Sequence, residues 1–191
     1  MGSNSFNIND YLEDLRSLFL ESGYHRSSFR KITKCIGVSE RTLYVEIGKK
    51  KDLLKVLIDY EYTIWKSLID QSANQGIPPK EVLIDFIDRL ERTQLHSKTP
   101  SGSLFCNLTG ELGEDDRDIL RLIADKYNQI VQDLAHIIDG FLSPQPRISS
   151  RELALYILST IEGCMILAKA DNDFWEMKNG FNNIRQLIST I

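Results

Sequence analysis

SSFRKITKCIGVSERTLYVEIGKKKDLL, residues 27–54, is the stretch whose reading decides the fold. Ser27-Ser28 offers an N-cap, and Ile32 and Ile36 then fall four apart on one helical face. Gly37 stands where that helix must stop and the chain must turn, which glycine allows because it tolerates positive φ. Val38 is apolar and plugs the turn. Ser39 is a second N-cap, and Leu43 with Ile47 continues the apolar face of the helix it starts. A short helix, a glycine turn and a second capped helix make a helix-turn-helix.

Charge sharpens the reading. Residues 26–55 hold nine Lys/Arg (26, 30, 31, 34, 41, 49, 50, 51 and 55) against three acids, Glu40, Glu46 and Asp52. The local balance is +6 in a chain whose formal net charge is −4. Phosphate neutralisation drives nucleic-acid affinity, so a local basic patch outweighs an acidic total. A charge run alone is often only a solvated face. The helix-turn-helix pattern beneath this one favours DNA.

The same residues resemble the DNA-binding signature of TetR-type transcriptional regulators. The match lies in Gly23-Tyr24, Ser27-Ser28, Gly37-Val38-Ser39, Thr42-Leu43-Tyr44, Lys50 and Asp52-Leu53-Leu54. The chain departs from the family pattern where Ile47 stands for the usual Phe and Glu46 for a His or aromatic. Thr33 and Ile36 likewise replace small residues. None of these changes removes the capping, the turn or the apolar face. Glu46 does put an acid close to where DNA would lie.

Outward from the motif, the chain reads as helices throughout. A first helix is expected from about Ile8 to Ser22, capped by Asn9 or Asp10, with Ile8, Leu12, Leu15 and Phe19 inward and Gly23 ending it. A long helix should run from about Lys50 to Ser72, its apolar residues arriving in pairs that imply burial on more than one side. Further helices are expected near residues 79–96, 104–108, 116–142, 150–169 and from Trp175 on, with a break at Ser143-Pro144-Gln145-Pro146. The expected fold is all-α: a three-helix head, residues 1–48, and a helical bundle, residues 49–191, about nine helices in all.

Composition is that of an ordinary globular protein, 191 residues with 42% hydrophobic and 26% charged. No run of about 18 apolar residues occurs, so no membrane span is expected. MGSNSFNIND lacks an apolar core, so no signal peptide is expected either. Cys35, Cys106 and Cys164 are odd in number and widely spaced, which suggests neither a disulfide framework nor a zinc site and fits a reducing cytoplasm. No nucleophile–base pattern, Gly-rich phosphate loop or metal-ligand spacing points to an enzyme or a cofactor.

Direct readers of base edges should be exposed residues early in the second motif helix: Ser39, Glu40, Arg41 and Thr42, with Val45 beside them. The resemblance implies phosphate contacts by Ser28, Tyr44 and Lys50; charge alone adds Arg30 and Lys49. In the body, Tyr62, Trp65, Phe86, Phe105, Tyr127, His136 and Trp175 are candidates to line a ligand pocket, although the plainer reading of each aromatic is core. Cys106 is a candidate redox or electrophile sensor, against the plainer reading of a buried, inert thiol.

The body resembles one branch of the same family through Gly102-Ser103-Leu104-Phe105-Cys106-Asn107-Leu108, Glu111-Leu112 and Ile161-Glu162-Gly163. That resemblance implies a dimer bundle built from the last two helices. Ile157, Ile161, Cys164, Phe181, Ile184, Leu187 and Ile188 are the candidate interface. The apolar surplus of those helices also suggests self-association.

The expectation is a one-component regulator, most often a repressor in such a family. It would bind a palindromic operator as a homodimer, its heads entering successive major grooves ~34–36 Å apart. An unidentified small molecule would release it, and no membrane is involved. A nucleoid-associated architectural or division-control protein, using the same head without an effector, is the alternative. The two differ in ligand-dependent release. Activation rather than repression stays open, because the sign depends on where the operator lies.

Overall fold

The computed structural model describes residues 6–143 and 147–191. Among these, nine α-helices form the chain and no strand occurs. The expected break at Ser143-Pro144-Gln145-Pro146 falls, apart from Ser143, outside the described residues, as do residues 1–5.

The head holds α1 (Leu12–Ser22), α2 (Phe29–Ile36) and α3 (Glu40–Glu46). A 3-10 turn, Ile8–Tyr11, precedes α1, so the expected helix from Ile8 starts later. Its cap is Asn7, whose side-chain oxygen accepts from the Asn9 N–H, rather than Asn9 or Asp10. Ile8 is only half-buried, while Leu12, Leu15 and Phe19 are buried as their spacing predicts. Ser28 Oγ accepts from the Lys31 N–H at 3.2 Å, and Ser39 Oγ accepts from the Thr42 N–H at 3.0 Å, so both expected N-caps are formed. Gly37 ends α2 at φ +69°, where any Cβ would be strained, and its N–H bonds back to the Thr33 carbonyl. Leu43 and Ile32 are fully buried, fixing α3 across α2. A leucine in such a position is worth about 2–5 kcal/mol over alanine.

The body begins with α4 (Lys50–Ala73), which packs on α1, α5 (Pro79–Leu95), α6 (Leu104–Glu111) and α7 (Arg117–Asp139). That explains its paired apolar pattern: Leu53, Leu54, Leu57 and Ile58 are all fully buried, facing two sets of neighbours. The acidic run Glu114–Asp116 forms a 3-10 turn before α7. The chain ends in α8 (Ser150–Asp171) and α9 (Trp175–Thr190). Helix α8 packs broadly on both α7 and α9, and α9 also reaches α5. At the α8–α9 crossing a Cβ on Gly180 would stand 1.9 Å from Cys164 Sγ, so only glycine permits this approach. One continuous core runs from Leu15 and Phe19 of the head to Phe181 and Ile188 of α9.

Helix α8 departs from the composition-based expectation. It is 22 residues long, and an 18-residue window of it has a mean hydropathy of 1.5, enough by length and composition to cross a membrane. Half of that window is buried inside the protein. It is apolar nearly all round because one side packs on α7 and α9 while the other is left open.

Candidate nucleic-acid interface and internal polar clusters

Helix α3 presents one face outward. Ser39, Glu40, Arg41, Tyr44, Val45 and Glu46 are exposed, and Thr42 is half-buried. Tyr44 and Val45 are 57% and 69% exposed, far above what core residues of a small helix show. The Ser39 hydroxyl serves the cap and also meets Thr42 Oγ1 at 2.8 Å. Ser28 and Arg30 on α2 and Lys49 before α4 are exposed as well. Among the described residues, Arg26, Arg30, Lys34, Arg41 and Lys49 form no ion pair.

Two other lysines of the basic stretch are occupied within the protein, Lys50 against Tyr24 and Lys51 in ion pairs at the surface. Lys50 lies with its ammonium 4.1 Å from the Tyr24 ring centre and donates to the Tyr24 carbonyl. Burial pulls its pKa below the usual lysine value, with Glu111 opposing. Lys51 pairs with Asp118 at 2.6 Å and Asp116 at 3.3 Å. The dense run of lysines therefore delivers less charge to solvent than its sequence implies.

The body holds two buried carboxylates. Glu61 on α4 is 1% exposed and is bound by Arg16 of α1, Nε to Oε2 at 2.5 Å, so head and body are pinned by one ion pair. Glu162 on α8 has no cationic partner among the described residues. Its Oε2 accepts from Ser103 Oγ at 2.7 Å and its Oε1 from the Tyr127 hydroxyl at 2.9 Å. Burial, with the nearby charge of Glu61 adding to it, pushes its carboxyl up to about 7. Ser103 also caps α6 through the Cys106 N–H. At the other end of α6, Glu111 binds the head: its carbonyl meets His25 Nε2 at 2.8 Å, and its carboxylate accepts from the His25 N–H at 3.0 Å. One eight-residue helix thus joins the Glu162 cluster to the loop before α2.

Only part of the expected pocket comes together. Phe105 and Tyr127 meet edge to face at 5.3 Å, next to Glu162, with Cys106 on the same helix as Phe105. Trp65 and Phe86 pack on each other inside the core, 6.3 Å apart. Tyr62 lies under Lys126 on the outer side of α4. His136 is exposed beside Ile77 and Pro79, and Trp175 is 64% exposed at the start of α9. Helical spacing could not tell these separate faces apart. The Cys106 thiol is pushed up by burial and by Glu162, the opposite of an activated thiolate.

The expected dimer residues need correction too. Ile157, Ile161, Phe181 and Ile188 are fully buried within the protomer and Ile184 nearly so, because α7, α8, α9 and α5 consume that face. Cys164 and Leu187 are half-buried, Cys164 against Gly180. The apolar residues left open are different ones: Tyr156 and Leu167 on one stripe of α8, with Gly163 between them facing open space, and Leu155 and Ile166 beside it. Sequence also missed Arg16, Glu61, Ser103 and Glu162. Their partners lie 45 and 59 residues away, beyond any local pattern.

These features define a helix-turn-helix head on a helical body. Residues 12–57 match the family "Bacterial regulatory proteins, tetR family". The fold superposes on a TetR transcriptional regulator from Legionella pneumophila with a TM-score of 0.81 and 19% identity, covering 97% of this chain and 99% of that one. Regulatory protein TetR from Rhodobacter sphaeroides gives 0.83 at 19% identity, over 93% and 96%. A cysteine mutant of the TetR family regulator CifR, complexed with 26-bp double-strand operator DNA, gives 0.78 at 13% identity, over 99% and 97%. A comparison of the sequence with curated proteins found no match. Residues 12–57 thus carry a tetR-family DNA-binding head, and the described fold is the all-α fold of these solved TetR structures.

Proposed function

We propose that this chain is a one-component transcriptional repressor that reads a palindromic operator as a homodimer. The observation that carries the reading is the exposed face of α3, with Arg41, Tyr44 and Val45 outward beside the unpaired Arg30 and Lys49. Arg41 pairs with a base edge; Ser28, Tyr44 and Lys49 take phosphates. Residues 1–48 do this work, and residues 49–191 bind the effector and the second copy. The open stripe of Tyr156, Gly163 and Leu167 is the surface on which two copies meet, since exposed apolar patches of this kind are rare on monomers. An effector in the body releases the DNA, through α6 and its contact with His25. Full release needs an effector that prefers the released state by about 10⁴-fold. Such a protein works in the cytoplasm.

Selection of binding sites from a random duplex pool tests this reading. A palindromic winner whose affinity falls steeply with salt is the expected result. Enrichment of nothing above non-specific binding would show that Glu40 and Glu46 have cost α3 its readout.

A further inference from the structure

Glu162, 8% exposed, is among the residues that line a slot between α7 and α8, about 380 Å³ in volume. Its walls are Ala124, Val131, Leu155 and Leu158, with Tyr127 beside the carboxylate; Asn128 and Ser159 add neutral polar groups. Among the described residues, no Lys, Arg or His lines it. Both carboxylate oxygens are held by neutral hydroxyls, so the charge is oriented yet uncompensated. A buried carboxylate without a cation is costly. An anionic guest would be repelled by Glu162. A neutral apolar guest would leave the carboxylate unpaired. A metal ion would find a single carboxylate. A guest with one positive charge and an apolar body meets every wall.

We propose that the slot between α7 and α8 binds an organic cation, an amine or quaternary ammonium on an apolar body, with Glu162 as its counter-ion. The proposal deepens the reading of the body as effector-binding and rests on it only for the consequence of binding. The cation removes the cost of the lone buried charge and draws on the Tyr127 ring for further attraction. Other titratable groups act on Glu162 from three elements: Tyr127 on α7, Cys106 on α6 and Glu61 on α4, the last already paired with Arg16. Tyr127 and Cys106 are both pushed above their ordinary values by burial, so neither ionises between pH 6 and pH 8.

The test is titration calorimetry of the free protein with n-octyltrimethylammonium, n-octanol and n-octyl sulfate. The cation should bind, the sulfate should not, and octanol should bind at least tenfold more weakly than the cation. Glu162→Gln loses the charge and keeps one acceptor, its amide N–H2 donating to the other hydroxyl, and should weaken the cation at least tenfold while leaving octanol within threefold. Equal binding of octanol and the cation, or a cation affinity untouched by Glu162→Gln, overturns the proposal. If that variant fails to fold, the wild-type protein still decides. With a carboxyl near 7, its affinity for this pH-inert cation should rise about tenfold from pH 6 to pH 8, and a flat profile overturns the proposal. Operator release is read separately. A cation that binds the free protein yet leaves the operator complex intact refutes the effector reading and leaves the slot standing.

Discussion

Replacing Arg16 by methionine isolates the ion pair that pins head to body. Glu61 is 1% exposed, and its other polar contact, the Leu104 N–H at 3.5 Å, is long and weak. The variant leaves a buried carboxylate without its cation while the arginine stem is largely replaced by volume. Breaking such a pair from one side costs about 3–5 kcal/mol. In a chain of this size that corresponds to a fall in Tm of about 6–20 °C. Glu61→Gln, added to Arg16→Met, removes the stranded charge and keeps an acceptor for Leu104. The double variant should recover at least half of the loss. Urea unfolding at pH 7 of the wild type, both single variants and the double variant gives the coupling directly. A single-variant cost below about 1 kcal/mol, of the size expected for an exposed pair, would refute the reasoning. So would a double variant no more stable than Arg16→Met.

Lys49→Ala should lower the slope of log affinity against log salt by about 0.9, whereas Lys51→Ala should leave it nearly unchanged, because Lys51 already faces Asp116 and Asp118; equal effects in a filter-binding or anisotropy series would reject the pairing of Lys51. Gly180→Ala should cost about 1–3 kcal/mol in denaturant unfolding through the clash with Cys164, and a neutral result would mean that the α8–α9 crossing is looser than described. Leu167→Lys should convert a dimer to a monomer in analytical ultracentrifugation with little change in secondary structure; a monomeric wild type, or a variant that still dimerises, removes the open stripe of α8 as the interface. The Glu162 carboxyl is raised in the folded protein above its ordinary value, so its ionisation opposes folding: stability from this group is intact below about pH 4 and is lost as pH rises toward its folded value of about 7. Glu162→Gln should therefore stabilise the protein more at pH 8 than at pH 5, by on the order of 2 kcal/mol, and identical gains at the two pH values would contradict the assignment.

The head was legible because its determinants are local. Ser28, Gly37 and Ser39 act within three or four residues of themselves, and Ile32, Ile36 and Leu43 repeat at helical spacing. The pairing of apolar residues in α4 likewise announced burial on two sides. Helix ends were less legible, since the chain before α1 takes a 3-10 turn capped by Asn7. The body's site was hardly legible at all. Apolar spacing says that Ile157 and Phe181 are buried, but not whether a second copy or the protomer's own helices bury them. Ser103, Tyr127 and Glu162 are scattered over 60 positions and converge only after α6, α7 and α8 pack. The resemblance puts Lys50 at a phosphate; in the folded chain its ammonium lies against Tyr24, which the turn after α1 places there.

The occupation of Lys50 and Lys51 within the protein bears on how such a protein searches. Genomes offer about 10⁶–10⁹ competing sites, and what holds a protein on them is mostly counterion release. Every lysine occupied at home shortens the time spent parked on random sequence. On the function proposed above, a larger share of molecules would then stay in free solution, within reach of small molecules, and the target would be found by repeated three-dimensional encounters more than by long slides along the duplex.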